Sequence, residues 1–163
     1  MDKPVPHVRD DLYYLKSVIF LVEDNLFKVP KQYFQKNSRI FSNIFSDDHT
    51  AEGSSDEKPI LLYSIQKVDF ERLLAVMYPI CGLGPATLGR SEWESTLKLS
   101  TLWELRDLRT LAIQNLSKIE MREVDQITLG MEYRVADWLV KGYTKLAQRD
   151  NTISEDEGDI LGL

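Results

Sequence analysis

Residues Ser17–Ser46, SVIFLVEDNLFKVPKQYFQKNSRIFSNIFS, decide how the chain reads. Val18–Val22 is a short β-branched and aromatic run, the composition of a buried strand. Glu23-Asp24-Asn25 predicts a turn, with Asn25 the residue suited to a left-handed backbone. Leu26–Val29 returns as the partner strand. Pro30 has no N–H to donate, so it closes the ladder, and its fixed φ suits the first turn of a helix. A short helix follows over Lys31–Gln35, with Tyr33 and Phe34 inward. Ser38 is a good N-cap for a second helix, Arg39–Phe45. There Ile40, Phe41, Ile44 and Phe45 make one apolar face. No side chain in this stretch is chemically armed. It is built to fold and to present a surface.

Upstream, residues 1–16 form an arm that carries Pro4 and Pro6, and Leu12–Leu15 starts an extended segment into the first strand. Downstream, the polar run Asp47–Lys58 predicts a mobile surface loop around Gly53-Ser54-Ser55. Pro59–Ile65 is a third strand. Val68–Tyr78 is a helix with Phe70, Leu73, Leu74 and Met77 at helical spacing, and Pro79 ends it. Cys81–Arg90 reads as a loop. Ser91-Glu92-Trp93-Glu94 has the form of a capping box. It opens a helix whose apolar positions are Trp93, Leu97, Leu99 and Leu102. Arg106–Ile119 follows, with Leu108, Leu111, Ala112 and Leu116 inward. Val124–Tyr133 and Ala136–Arg149 are two more helices, the last burying Trp138, Leu139, Tyr143 and Leu146. Ser154-Glu155-Asp156-Glu157 is a second capping box and starts a final turn. No internal repeat is evident. Three strands cannot bury both faces alone, so helices must cover them. The fold class is α+β, a small three-stranded sheet covered by a cluster of helices, with extra helices at the C-terminal end.

Charge and composition narrow the function. The chain has 163 residues, 43% hydrophobic and 28% charged, with net charge −6. Residues 150–163 carry −5 and residues 47–58 carry −4, which leaves the remaining body near +3. Direct nucleic-acid binding normally needs a dense basic patch, and none is visible. The one cysteine, Cys81, excludes an internal disulfide and a cysteine-based metal site. The N-terminal segment lacks the apolar core of a secretory signal. No apolar run reaches the roughly 18–20 residues of a membrane span. These features predict a cytoplasmic or nuclear protein that is not secreted. Asn115-Leu116-Ser117 matches a glycosylation sequon, a chance match without a secretory route.

Catalytic sets are missing from the pattern. The two histidines, His7 and His49, lie in the arm and the acidic loop, outside periodic segments, and read as solvated. Gly82, Gly84 and Gly89 lack the spacing and the following Gly-Lys-Ser/Thr of a phosphate loop. From Asp150 the sixth position is Glu155, where a calcium loop of the EF-hand type needs glycine. Acids at a helix N-terminus explain that run instead. Trp93, Trp103 and Trp138 could stack on bases, but periodic helices favour core packing. Trp103, beside Leu102, is the candidate to point outward. No cofactor is implied.

Taken together, the hairpin Val18–Val29, Lys31, the helix Ser38-Arg39-Ile40-Phe41-Ser42-Asn43-Ile44-Phe45, the strand Ile60-Leu61-Leu62, the helix Phe70–Tyr78 and the paired helices Leu97–Leu116 resemble a BTB/POZ domain. The resemblance covers residues 17–119, after the arm 1–16 and before a helical extension and acidic tail, 120–163. The closing half is similar to the version abundant in mushroom-forming (basidiomycete) fungi, through Tyr133, Val135, Trp138 and Leu139. The resemblance implies a non-enzymatic protein–protein interaction domain. Its role would be substrate adaptor for a cullin-type ubiquitin ligase, or oligomerisation module. The alternative is a transcriptional or chromatin-associated recruitment domain. A small enzyme would need a pocket of convergent titratable groups, and two histidines and one cysteine supply little for it. The implied partners are proteins, a cullin or another BTB chain. In family adaptors a hydrophobic-x-acidic signal meets the cullin, and here Ile44, Phe45 and Asp47 hold that place. Against this stands the ordinary reading of Phe45 as core and Asp47 as solvated. BTB transcription factors build a charged dimer pocket from an Asp and a basic residue. Here Ser17 replaces the Asp, Lys31 keeps the base, and Pro30 stands where the family usually has His. The Ser17 substitution and the short arm argue against the usual homodimer.

Overall fold

In a computed structural model, which describes residues 7–46, 51–79 and 88–162, the opening stretch folds as a hairpin followed by two helices. Strand β1 (Ser17–Val22) pairs antiparallel with β2 (Asn25–Pro30), from Ser17 opposite Pro30 to Val22 opposite Asn25. The turn is Glu23 and Asp24, and the left-handed residue is Glu23 at φ 52°, not Asn25. Helices α1 (Gln32–Asn37) and α2 (Arg39–Ser46) follow. Ser38 caps α2: its Oγ accepts from the Phe41 N–H at 3.2 Å and donates to the Trp103 carbonyl at 2.6 Å. One cap therefore fixes both the start of a helix and its seat on a distant one.

Strand β3 is two residues, Ile60–Leu61, far shorter than the expected 59–65. It pairs parallel with β1, so the sheet order is β2-β1-β3. Helix α3 (Lys67–Met77) follows, then α4 (Arg90–Leu102), α5 (Arg106–Leu116), α6 (Glu123–Glu132), α7 (Ala136–Gln148) and α8 (Glu155–Leu161). The three-stranded sheet with its cover of helices is the expected α+β arrangement, and α6 to α8 are the extra C-terminal helices. The start of α4 corrects the sequence reading. Gly89 is the N-cap and Ser91 lies inside the helix, while the Glu92 carboxylate reaches back to the Gly89 N–H at 2.8 Å. The capping box at Ser154 forms as expected, with the Glu157 N–H on Ser154 Oγ at 3.3 Å.

The first core lies under the sheet. Phe20 meets Phe34, Phe41 and Phe70 at ring separations of 5.4, 5.7 and 5.6 Å. Trp103 closes the cluster edge-on against Phe41 at 5.3 Å and Phe70 at 6.0 Å. Trp103 is thus buried, and its neighbour Leu102, expected inside, is exposed. Leu111 and Tyr143 are likewise exposed rather than inward. At Tyr143's level of α7 the buried residue is Gly142, whose missing side chain lets α7 close on α6: a Cβ there would stand 2.6 Å from Ile127 Cγ1.

A second core joins two helical hairpins, and here the chain repeats itself. The turn from α4 to α5 and the turn from α6 to α7 match bond for bond. Leu105 N–H donates to the Ser100 carbonyl, and Val135 N–H to the Gly130 carbonyl, both at 2.9 Å. Glu104 and Arg134 both take φ 54°. At the same offset Leu108 corresponds to Trp138. Leu105 and Leu108 pack on the sheet core, and Val135 and Trp138 pack on the first hairpin beside Ala112 and Leu116. Each hairpin thus seats itself on what precedes it with equivalent residues. Two polar contacts lock the layers: Trp138 Nε1 donates to Ser117 Oγ at 2.8 Å, and Arg109 to the Tyr133 carbonyl at 2.6 Å. The sequence hides this repeat because over 99–109 and 129–139 only Leu99/Leu129 and Asp107/Asp137 are identical.

Candidate functional site

Of the residues singled out by sequence, Ser17, Lys31 and Phe45 lie near one end of the hairpin. Ser17 is exposed and starts β1 opposite Pro30, and the Lys31 N–H donates to the Lys16 carbonyl at 2.9 Å. The ladder therefore runs past Pro30, which is tolerated opposite Ser17 because that pair is a non-hydrogen-bonded one and needs no N–H; its carbonyl points away from β1. That oxygen accepts from the Tyr78 hydroxyl at 2.8 Å. Burial, with Tyr33 nearby, pushes the Tyr78 hydroxyl up to about 12, so it stays a donor throughout the physiological range. The Lys31 ammonium sits 5.4 Å above the Phe45 ring, within the range of a cation–π contact. So the basic residue of the supposed dimer pocket and the aromatic of the supposed adaptor signal meet each other.

The apolar face expected on α2 is divided. Phe41 is buried, and Phe45 stacks on it at 5.9 Å as a half-buried edge of the core. Ile40 and Ile44, one helical turn apart, are each 37% exposed. Among the described residues of the adaptor set, Ile44 is the one offered to solvent. Asp47, His49, Cys81, Gly82 and Gly84 lie outside the described residues. Residues 51–58 are not the free loop expected. The Gly53 carbonyl accepts from the Ile19 N–H at 2.9 Å, the Gly53 N–H donates to the Lys58 carbonyl at 2.6 Å, and Ser55 bridges Lys58. Gly53 is buried at φ 77°, where an added Cβ would stand 2.6 Å from Val18 Cγ2. The segment is strapped along β1.

Two surfaces escaped the sequence reading. The first is the arm. Residues 11–14 form a turn rather than an extended lead-in, because the Asp10 carboxylate accepts from the Leu12 and Tyr13 N–H groups at 2.9 and 2.7 Å. An Asp followed two and three residues on by apolar residues was the visible signal. Leu12 and Tyr13 are 76% and 83% exposed, and Val8, Tyr14 and Leu15 are exposed with them. The second is the outer side of the sheet around Leu21 and Leu61. Among the described residues no group of His, Cys, Asp and Glu is placed to hold a metal, and no helix is long and apolar enough to cross a membrane.

The BTB/POZ domain family profile matches residues 14–120, so the chain belongs to the BTB/POZ family. BTB/POZ domains are protein–protein interaction modules, and their partners are proteins. A comparison with curated proteins finds no match.

Proposed function

We propose that this BTB/POZ chain is an oligomerisation module that pairs with a second copy through its N-terminal arm. The carrying observation is the arm: a locally ordered turn whose apolar side chains Val8, Leu12, Tyr13 and Leu15 stand exposed, with Tyr14 covered only by Arg9 at 4.7 Å. Ordering a turn and then leaving its apolar side chains in water is unfavourable, and a partner surface removes that cost. Ser17 leaves the end of β1 without an acid, and Lys31 is already engaged on Phe45, so apolar burial rather than an ion pair would drive association. Light scattering across a concentration series tests this. The expected result is a dimer that Leu12→Asp with Tyr13→Asp converts to monomer at unchanged melting temperature. A monomer at every concentration, or a dimer indifferent to those changes, removes the reading.

A second reading, adaptor to a cullin-type ligase, is supported by Ile40 and Ile44 standing exposed beside Phe45. Its test is capture of a fungal cullin N-terminal domain, abolished by Ile44→Asp; capture that is absent or insensitive to that change counts against it. The fungal branch of the family is the one proposed, supported by Tyr133, Val135, Trp138 and Leu139, which in this chain make the second turn and its seat on the first hairpin.

A further inference from the structure

We propose that the outer face of the sheet is a docking groove for an extended segment of a partner protein, with an aliphatic or aromatic anchor flanked by Lys or Arg. The groove and the arm share no residue, so this inference goes beyond the oligomerisation reading and stands apart from it.

The register builds the groove. Leu21 of β1 lies opposite Leu26 of β2 and Leu61 of β3. Directly opposed residues share a face, so the three leucines form a row across the sheet on the side away from Phe20. Leu26 and Leu61 are 46% and 45% exposed, and Tyr63, just beyond, is 78% exposed. On one side of Leu61 an open groove of about 370 Å³ runs past Leu21, Tyr63, Ile65 and Glu23. On the other side one of about 670 Å³ runs past Leu21, Pro59, Glu52, Asp56 and Glu57.

Charge selects the occupant. Glu23, Glu52, Asp56 and Glu57 rim the row against one lining cation, Lys58. Among the described residues none of the four carboxylates is in an ion pair. By contrast, Asp125 is neutralised by Arg90 and Arg122. The acidic rim repels phosphate and attracts ammonium and guanidinium groups. It is also held in place, since residues 51–58 are strapped to β1 through Gly53.

Backbone geometry selects an extended shape. The Leu62 N–H donates to the Leu21 carbonyl at 3.0 Å. In a parallel ladder the intervening Leu61 therefore turns its own N–H and C=O to the far edge. Among the described residues that edge has no strand beside it in the order β2-β1-β3. A segment lying there can pair with Leu61 while its side chains alternate between the leucine row and the acidic rim.

The probe is a synthetic peptide with a central Val-Leu-Val flanked on each side by two lysines, compared with the same peptide flanked by glutamates. The readout is amide shifts of the full-length labelled chain. The expected result is that the lysine peptide shifts Leu21, Leu26, Leu61 and Tyr63, that added salt weakens it, and that the glutamate peptide does nothing. Glu52→Gln with Asp56→Asn and Glu57→Gln should weaken binding by about tenfold or more, and Leu61→Asp should abolish it. No shifts at millimolar peptide, shifts confined to other residues, equal binding of the glutamate peptide, or binding untouched by the triple variant each overturn the proposal.

Discussion

Asp69 shows how a polar residue fastens two helices. It is buried on α3, accepts from Ser95 Oγ at 2.7 Å, and is bridged by Lys98 Nζ at 2.6 Å, both on α4. Arg72 donates to Ser95 Oγ at 3.2 Å and completes the set. Burial pushes the carboxyl up, but the hydrogen bonds from Lys98 and Ser95, with the Lys98 and Arg72 charges, outweigh it and hold the pKa below the ordinary 3.8. A folded value below the unfolded one adds stability that is complete above about pH 4 and lost as pH falls through the folded value. Asp69→Ala, which removes the acceptor of the Ser95 hydroxyl and the counter-charge of Lys98, should cost about 1–3 kcal/mol in urea unfolding at pH 7. Its deficit should shrink as the pH falls through the folded pKa of Asp69. The opposite sign is expected at Gln126, whose buried Oε1 has no partner. Gln126→Met should raise the unfolding midpoint, by about 1 kcal/mol of stability. At Gly53, the positive φ and the contact with Val18 predict that Gly53→Ala loses about 1–3 kcal/mol. The Gly and its Ser neighbours read as a mobile surface loop, and the strap on β1 was not legible, because a hydrogen bond to Ile19 leaves no mark in local sequence.

At the scale of elements, the duplicated hairpin turn explains the second half of the chain. Trp138→Phe keeps most of the volume and deletes the bond to Ser117, so about 1 kcal/mol should be lost without change of fold. Helix α8 is held differently. It has no buried residue, and Glu157 accepts both from Arg149 and from the Ser154 N–H. Arg149 first, then the Ser154 backbone, draw the Glu157 carboxyl down to about 2. Glu157→Gln should fray residues 155–161, seen in Cα shifts, and leave α6 and α7 intact. The fully charged latch should persist well into acid and open only as pH nears 2. Of these features the Ser-x-x-Glu cap was legible, since it is a local pattern. The Arg149 partner was not.

At the scale of the molecule, the two cores share helices. Trp93 and Leu97 of α4 face the second core, and Leu99 and Trp103 face the first; Leu108 of α5 belongs to the first, and Ala112 and Leu116 to the second. The family match ends at residue 120, yet Met121, Val135 and Trp138 complete the second core. Truncation after residue 120 should therefore expose Trp93, Leu97, Ala112 and Leu116. The shortened chain should aggregate or bind a hydrophobic dye, whereas the full chain unfolds in one transition. A soluble, cooperatively folding 1–120 fragment would contradict this.

The sequence by itself determined the hairpin, the caps at Ser38 and Ser154, the succession of helices and, through their ordered set, the family. All of these follow from dihedral preference, capping chemistry and period, which act over a few residues. Tertiary structure alone decided which part of each apolar arc is covered: Phe41 in and Ile40 out, Trp103 in and Leu102 out, Gly142 in and Tyr143 out. It also decided that Leu21, Leu26 and Leu61 stand in one row. Helical period says that a face is apolar, and strand alternation says that two faces exist. Which of them meets water depends on the shape of neighbours distant in the chain, and only packing fixes that.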